Sequence, residues 1–483
     1  MQSVVSRTLR ASSGTRAEHE ASTSRDDAFG KSFRTSASKR GHASSSSSSS
    51  SPRGGVGRDG DFMGNARRTA FHHHRRRVKE TSAKRFVAST TSNLSQDSTN
   101  RRLSEAFSKN LVDDIYRGSF RNQTGVSLKY MMDFGDHPRD QQLLFSAQFL
   151  HKELPIRLAH RVAELENLPF GLSTKPQVLT VRDWYVESFE DIREMKEINS
   201  MEREEKFTEL LSSVMKRHND VVPMIASGVL ELKNELAGKS KKGGSNNNSN
   251  GSSIDAIAHL PEIHQFLDGF YMSRIGMRML IGQHVALHEP PKKDYVGLIC
   301  TKTKPVEVCK DAVDDARALC ARQYGEAPEV EIFGDPNWTF PYVPGHIHHV
   351  VFELVKNSLR AVVERYKDSD VQPPAIRVVV AEGSEDVCIK ISDEGGGIPR
   401  SGLKKIWTYL YSTADSPLRD MEFSEAGAGS TPVVLAGYGY GLPLSRLYCR
   451  YFGGDLQVLS MHGYGTDAYV HLNRLGTGTE PLP

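Results

Sequence analysis

The stretch His348–Tyr366 has helical periodicity and carries a histidine, a carboxylate and an amide, groups that exchange protons and bind ligands. His349, Glu353 and Asn357 recur every four residues, so on an α-helix they lie along one face and drift by roughly 40° per step. The apolar residues of the stretch suffice to pack the helix without them. Taken alone, the stripe is also compatible with a solvated helix face bearing a His349–Glu353 pair.

Two glycine-rich motifs follow this helix. "SDEGGGIP" (392–399) ends an apolar strand, and its Asp393 lies where the glycines permit a tight backbone turn. A carboxylate in that place is able to accept a hydrogen bond from an exocyclic amine, such as that of adenine. "AGYGYGLPLSRLY" (436–448) is a turn that leads into a helix, and the first backbone N–H groups of that helix would form an anion cradle.

Each glycine motif alone also fits a plain turn. The second motif is not the dinucleotide fingerprint, because no βαβ unit follows it, and the Walker pattern is not found in the sequence.

The elements that must position these motifs fall into two regions. From residue 103 to 290, apolar residues recur at spacings of three and four, which predicts a helix bundle. A Gly/Ser/Asn-rich run at 238–254 predicts a flexible insert between two of its helices. From 296 to 476, helical segments alternate with strand and hairpin patterns, and 477–483 is a short tail. We therefore predict an α+β fold in which the second domain has a mixed sheet covered by helices on one face.

Residues 1–100 differ from the rest in composition. They hold 18 Lys and Arg against 8 Asp and Glu, a net charge of +10, while the rest of the chain carries −7. This Arg- and Ser-rich, acid-poor segment is typical of an organelle transit peptide and is not expected to fold. The basic cluster near Arg75 leaves an RNA-binding arm or nuclear signal as the alternative, and the His72–His74 run has no flanking residues that would complete a metal site.

The charge, hydropathy and cysteine spacing of the chain argue against several classes of protein. The acidic remainder has no global nucleic-acid signature, so no nucleic-acid partner is expected. No apolar run is long enough to span a membrane. The five cysteines are widely spaced and contain no CxxC pair, which argues against a disulfide framework or a zinc site built from cysteines.

The order of the motifs resembles that of one ATPase fold. In this sequence a helix with Glu and Asn is followed by DxGxG, a loop, GxGxG and a strand with "GTD". The nucleotide boxes shared by histidine kinases, type II topoisomerases, mismatch-repair ATPases and ninety-kilodalton heat-shock chaperones have the same order. The resemblance implies a histidine-kinase-like ATPase α/β sandwich that binds ATP and Mg²⁺. It also implies that Asn357 is the Mg²⁺ ligand, that Glu353 is the general base, and that His349 is a catalytic residue placed where it is able to hydrogen bond to that base and orient it.

Longer stretches narrow the resemblance to the mitochondrial pyruvate dehydrogenase kinases. They include "YVPGHIHHVVFELVKNSLRA", "AGYGYGLPLSRLYCRYFGGDLQ", "RHNDVVPMIASGVLELK" and "FYMSRIGMRMLIGQH", and they run in linear order from Leu103 to Pro483. "GDPNWTFPYVP" and "EPLP" are most similar to the plant-type branch. The resemblance implies a serine kinase of the mitochondrial matrix that uses MgATP to phosphorylate and inactivate the decarboxylase (alpha) subunit of the pyruvate dehydrogenase complex.

The same resemblance implies partners and further site residues. The partners are the lipoyl domain of the acyltransferase core and a second copy of the chain, although this sequence lacks the long C-terminal extension that crosses the dimer in many members. Matching the family's motifs assigns ATP binding to Lys356, Arg360, Asp393, Gly395, Gly397, Gly437, Gly439, Gly441, Leu442 and Thr466. It also assigns a regulatory pyruvate-type pocket to His218, Arg274 and Arg278, with Met215 where the family has a further arginine.

Two alternatives stay open. Branched-chain 2-oxoacid dehydrogenase kinase is the nearest rival within the family, because "VGLICT" and "ALHE" resemble it. "HNDVVP" has the spacing of a histidine-kinase phospho-acceptor box, so a two-component kinase would autophosphorylate His218.

Overall fold

The computed structural model describes residues 102–135, 140–242, 260–412 and 439–482. The helices are α1 (Leu103–Ala106), α2 (Lys109–Ser119), α3 (Leu128–Gly135), α4 (Asp140–Glu166), α5 (Pro176–Glu194), α6 (Met201–Arg217), α7 (Val221–Lys242), α8 (Pro261–Ala286), α9 (Pro305–Tyr324), α10 (Pro344–Tyr366), α11 (Arg400–Leu403) and α12 (Gly441–Tyr451). The strands are β1 (Tyr295–Val296), β2 (Ile299–Thr303), β3 (Val330–Phe333), β4 (Phe340–Tyr342), β5 (Ile376–Glu382), β6 (Asp386–Asp393), β7 (Asp455–Met461) and β8 (Gly465–Asn473). The predicted leader at 1–100 lies outside the described residues.

The first half of the described chain is the helix bundle expected from the apolar periodicity. The long helix α4 packs against α2, α5, α6 and α8. Large buried side chains such as Tyr185, Phe207 and Phe270 fill the space between these helices. Helix α7 continues to Lys242, within the range 238–254 that the composition predicts as an insert, and residues 243–259 lie outside the described part. Among the described residues, no helix is both long and apolar enough to cross a membrane.

The second half is built on a mixed five-stranded sheet with the order β3-β5-β6-β8-β7. Strand β3 is parallel to β5, and the other neighbours are antiparallel. Burial alternates along β6, where Val387, Ile389, Ile391 and Asp393 are buried, so one face of the strand points to the core. Helices α10 and α12 pack on this sheet and α9 packs on α10, which confirms the predicted α+β arrangement.

A second, three-stranded antiparallel sheet with the order β1-β2-β4 was not predicted from the sequence. Its strands are two to five residues long, too short to show a period of two. Thr303 on β2 donates a hydrogen bond of 3.2 Å to the carbonyl oxygen of Tyr342 on β4. Pairing of β2 with β4 thereby brings together the two ends of the segment that contains α9. Helix α10 begins shortly after β4.

The tail at 477–482 returns to the helix bundle. Thr479 forms a β-bridge with Ser127. Glu480 is 5% exposed and accepts hydrogen bonds from Arg157, Tyr451 and the backbone N–H of Val126. The end of the described chain is therefore packed against α4, the central helix of the bundle.

Candidate active site

A cavity of about 570 Å³ opens between α10, the ends of β6 and β8, and the start of α12. This volume lies in the range of pockets that bind small molecules and cofactors. The residues that line it include Glu353, Lys356, Asn357, Ser358, Arg360, Asp393, Gly395, Gly397, Gly439, Gly441, Leu442 and Thr466. The motifs predicted from the sequence therefore meet in one place, except that Gly437 lies outside the described residues.

The polar stripe of α10 faces this cavity because the opposite face of the helix is buried. Val351, Val355 and Leu359 are each 0% exposed and anchor the helix in the core. A proline at its first position favours the start of the helix, since proline has no N–H to leave unpaired there. Asn357 is exposed toward the cavity, and no hydrogen bond ties its side chain to the described residues.

Glu353 is oriented by Lys356, three residues further along α10. Lys356 Nζ donates a hydrogen bond of 2.6 Å to Glu353 Oε1, and the two side chains are 17% and 12% exposed. This ion pair thus lies at the wall of the cavity. This pair was not part of the sequence prediction, although spacings of three and four permit it.

The expected hydrogen bond between His349 and Glu353 is not formed. The ring of His349 packs against Tyr448, with 4.7 Å between the ring centres, and its Nε2 has no hydrogen-bond partner among the described residues. Burial lowers the pKa of His349, so the ring is neutral. Helical spacing places the residue beneath Glu353, but packing against α12 turns its ring away from the carboxylate.

Asp393 lies at the end of β6 under α10. Its Oδ1 accepts a hydrogen bond of 2.9 Å from the backbone N–H of Gly395, and its Oδ2 accepts one of 2.8 Å from Ser358 Oγ. The side chain is 9% exposed, and burial raises its pKa. A carboxylate offers about four acceptor positions, so two hydrogen bonds leave capacity for a ligand. Ser358 was missed from the sequence because it stands beside the polar stripe, on the face that meets the sheet.

Thr466 stands directly opposite Asp393 in the register of β6 and β8. Its hydroxyl lies 2.9 Å from Ser460 Oγ on β7. Residues directly opposite on antiparallel strands share a face of the sheet. The same cavity is also lined by apolar residues, among them Ile391, Ile398, Ile406, Val458 and Ala468. Such a wall with two polar groups suits a flat, amine-bearing ring.

Two glycines bring bare backbone to the cavity. Gly397 has φ +68°, and a Cβ there would collide with the backbone of Met461 and Gly465. Gly439 has φ +73°, and a Cβ there would collide with the backbone of Tyr411. Both positions therefore require glycine, as the motifs predict.

Gly441 is the first residue of α12, so the unpaired N–H groups of this helix end open into the cavity beside Leu442. A helix N-terminus attracts negative charge. Two cations, Lys356 and Arg360, lie on the wall formed by α10. The cavity thus combines an apolar end with an end suited to phosphates.

His218, Arg274 and Arg278 also lie together, with Met215, around a separate small cavity in the bundle. Its volume is about 10 Å³, close to the space that one water molecule requires. Arg274 and Arg278 both reach Asn219, at 3.3 and 3.4 Å from its carbonyl and side-chain oxygens. The three residues named from the sequence therefore do lie together, and two of them are arginines.

His218 itself is neutral and enclosed. It is 6% exposed, its ring stacks on Tyr185 at 4.5 Å, and its Nε2 is hydrogen bonded to Ser188 at 3.0 Å. Burial, followed by the charge of Arg274, lowers its pKa to about 3. This environment does not favour phosphoryl transfer to His218, the step that a two-component kinase would need.

Comparison with known proteins agrees with this geometry. Residues 125–300 match the family model "Mitochondrial branched-chain alpha-ketoacid dehydrogenase kinase". Residues 342–475 match the model "Histidine kinase-, DNA gyrase B-, and HSP90-like ATPase". The helix bundle and the sheet domain are thus each matched by a family of the kind that the sequence predicts.

Curated relatives match about three quarters of this chain. A mitochondrial [pyruvate dehydrogenase (acetyl-transferring)] kinase of Arabidopsis thaliana is 58% identical over 79% of this chain and 99% of its own length. A mitochondrial kinase of the same name from Schizosaccharomyces pombe is 38% identical over 74% of this chain and 95% of its own. Isozyme 3 of the mitochondrial [pyruvate dehydrogenase (acetyl-transferring)] kinase from Homo sapiens is 39% identical over 76% of this chain and 87% of its own length. The chain therefore belongs to the mitochondrial pyruvate dehydrogenase (acetyl-transferring) kinase family and is an ATP-using protein kinase of that family.

Proposed function

We propose that this kinase transfers the terminal phosphoryl group of MgATP to a serine of the decarboxylase (alpha) subunit of the pyruvate dehydrogenase complex in the mitochondrial matrix, which inactivates that subunit. The observation that carries the proposal is the convergence of Glu353, Asn357 and Asp393 on one cavity. Relatives named pyruvate dehydrogenase (acetyl-transferring) kinase that cover 79% and 76% of this chain support it.

The adenine end of the nucleotide fits the apolar side of the cavity. Asp393 is held by Gly395 and Ser358 and keeps acceptor positions for an exocyclic amine. Thr466 stands opposite it across the strands. The phosphates fit the other end, where the start of α12 supplies N–H groups and Lys356 and Arg360 supply positive charge.

Asn357 fits the role of Mg²⁺ ligand. Mg²⁺ prefers oxygen ligands and keeps several waters, so one amide oxygen together with the phosphates suffices. The side chain of Asn357 faces the cavity and is not engaged by other described residues. The bound ion would neutralise charge on the phosphates.

Glu353 fits the role of general base, because it lies one helical turn before Asn357 on the same face. It would accept the proton of the serine hydroxyl as the new bond to phosphorus forms. Lys356 holds the carboxylate in place by its hydrogen bond of 2.6 Å. His349 supports this arrangement only through packing behind the base.

Membership of the family also supports three further proposals. The kinase associates with the lipoyl domain of the acyltransferase core and forms a homodimer. The cluster of Arg274 and Arg278 beside His218 serves as a regulatory site for small anions of the pyruvate type. Because its cavity holds about 10 Å³, binding there requires the surrounding helices to move apart.

The test is phosphorylation of two purified decarboxylase components, one from the pyruvate complex and one from the branched-chain complex, with labelled ATP. We expect acid-stable label on the pyruvate component at a rate at least tenfold higher. Preference for the branched-chain component would establish the rival substrate. Acid-labile label on the kinase itself would instead indicate phosphohistidine.

A further inference from the structure

Three side chains of metal-ligand type meet in the helix bundle, away from the nucleotide cavity. Glu204 lies near the start of α6, His284 lies in the last turn of α8, and His288 follows shortly after. One oxygen of the glutamate and one nitrogen of each ring all lie within 4.8 Å of one another. The two histidines are four residues apart, which brings both rings to one side of the helix end.

The distances between these atoms approach those of a metal site. Glu204 Oε1 lies 3.3 Å from His284 Nε2 and 2.8 Å from His288 Nε2. In a tetrahedral zinc site with bonds of about 2.0 Å, neighbouring ligand atoms stand roughly 3.3 Å apart. The first distance already has this value. The second reaches it with a small outward shift of His288, whose side chain is 22% exposed.

The far nitrogens of both rings are held by other groups. His288 Nδ1 lies 2.9 Å from the carbonyl oxygen of His284, and His284 Nδ1 lies 2.8 Å from Ser146 Oγ. A carbonyl oxygen only accepts hydrogen bonds, so His288 Nδ1 carries a hydrogen and Nε2 is the nitrogen left to bind a metal. Metal-binding histidines are oriented by the same kind of hydrogen bond at the opposite ring nitrogen.

The second carboxylate oxygen of Glu204 has a hydrogen-bonding capacity that no described group fills. Glu204 is 0% exposed, and its Oε2 has no hydrogen-bond partner among the described residues. Leaving a buried carboxylate oxygen without a partner is unfavourable. A cation bound by this carboxylate would compensate the charge directly.

We propose that Glu204, His284 and His288 bind one zinc ion, with water as the fourth ligand. Two imidazoles and one carboxylate suit zinc, whereas Mg²⁺ and Ca²⁺ favour sets of oxygen ligands. The ion joins the start of α6 to the end of α8, just before the chain enters β1. It acts as a structural clamp at the junction between bundle and sheet domain, and it does not depend on the proposed kinase function.

The test uses the full chain with the His72–His74 run replaced by glutamines, so that these adjacent histidines cannot contribute to the measured zinc binding. Zinc binding is measured by calorimetry and by competition with a chromophoric chelator, and Co²⁺ is used as a visible probe of four-coordinate geometry. Glu204→Gln and His288→Gln are compared with His462→Gln, which removes an exposed histidine elsewhere. MgATP binding reports whether each variant is folded.

We expect one equivalent of zinc per chain, a rise of the melting temperature by a few degrees, and the visible bands of four-coordinate Co²⁺. His288→Gln and Glu204→Gln should each weaken zinc binding at least tenfold, while His462→Gln should not. If the Glu204→Gln variant does not fold, the zinc affinity of the His288→Gln variant decides the test, because His288 is partly exposed. Absence of stoichiometric zinc binding in the reference chain, or equal affinity in the His288 variant, would overturn the proposal.

Discussion

Ser358 and Asp393 come from different elements and are joined by a hydrogen bond of 2.8 Å beneath the nucleotide cavity. Ser358 lies on α10 beside Asn357, and Asp393 ends β6. The bond therefore ties the helix that carries the proposed catalytic groups to the strand that carries the proposed adenine acceptor. Any displacement of α10 on the sheet would change both ends of the nucleotide site together.

Asp393→Ala should abolish ATP binding. The substitution removes the acceptor for the adenine amine and leaves Ser358 and the Gly395 N–H unpaired. Ser358→Ala should weaken binding by only about fivefold, since one hydrogen bond contributes roughly 1 kcal/mol. Calorimetry with MgATP provides the measurement. Asp386→Ala, at the exposed end of the same strand, is the control, and an unchanged dissociation constant for Asp393→Ala would refute the adenine assignment.

Glu480→Ala should destabilise the protein by about 3 kcal/mol. The side chains of Glu480 and Arg157 are 2% and 1% exposed, so the substitution leaves a buried guanidinium with Glu153 as its remaining carboxylate partner. Denaturant unfolding followed by circular dichroism measures the effect. Glu202→Ala breaks an exposed pair with Lys206 and should leave stability unchanged. If the two variants had the same free energy of unfolding, the result would show that the tail does not anchor the bundle.

Met215→Arg should raise the affinity for pyruvate or dichloroacetate about tenfold, because it adds a third cation beside Arg274 and Arg278. His218 contributes no charge there, since its pKa of about 3 leaves it neutral above that pH. The affinity should therefore be constant between about pH 6 and pH 8. Ser213→Arg, at an exposed position two residues earlier, is the control. A similar gain in the control variant would point to non-specific attraction.

A chain that starts at residue 100 should fold and phosphorylate its target as well as the full chain does. Leu103 is 1% exposed, and its N–H donates a hydrogen bond of 2.8 Å to Glu166, so a chain that starts at residue 100 keeps this packed residue. Residues 1–100 fused to a fluorescent reporter should carry it into mitochondria. Import into chloroplasts would change the assigned organelle, and a nuclear signal would support the competing interpretation of the basic cluster.

The parts of this structure that follow from periodicity were predictable. Apolar spacing identified the bundle, alternation identified β5 to β8, and the glycine motifs identified Gly397 and Gly439 as positions where a side chain has no room. These features depend on residues close together in sequence. They also locate most of the nucleotide cavity.

The parts that depend on distant contacts were not predictable. Strand β4 pairs with β2 although α9 lies between them in the sequence, and Ser358 meets Asp393 only once α10 packs on the sheet. His349 illustrates the limit, because helical spacing placed it next to Glu353 but packing against Tyr448 decided the direction of its ring.

The most direct test of the account is phosphorylation of the pyruvate dehydrogenase decarboxylase component by the Glu353→Gln variant, measured alongside its affinity for MgATP. Glutamine keeps the size of the side chain but cannot accept the serine proton, and general-base catalysis contributes roughly 10²–10⁴-fold to the rate. Glu307→Gln, an exposed position on α9, is the matched control. We predict that Glu353→Gln binds MgATP almost as the wild type does and loses at least a hundredfold in phosphotransfer. A variant that phosphorylates the decarboxylase at the wild-type rate would contradict the assignment of Glu353 and of this cavity as the catalytic site.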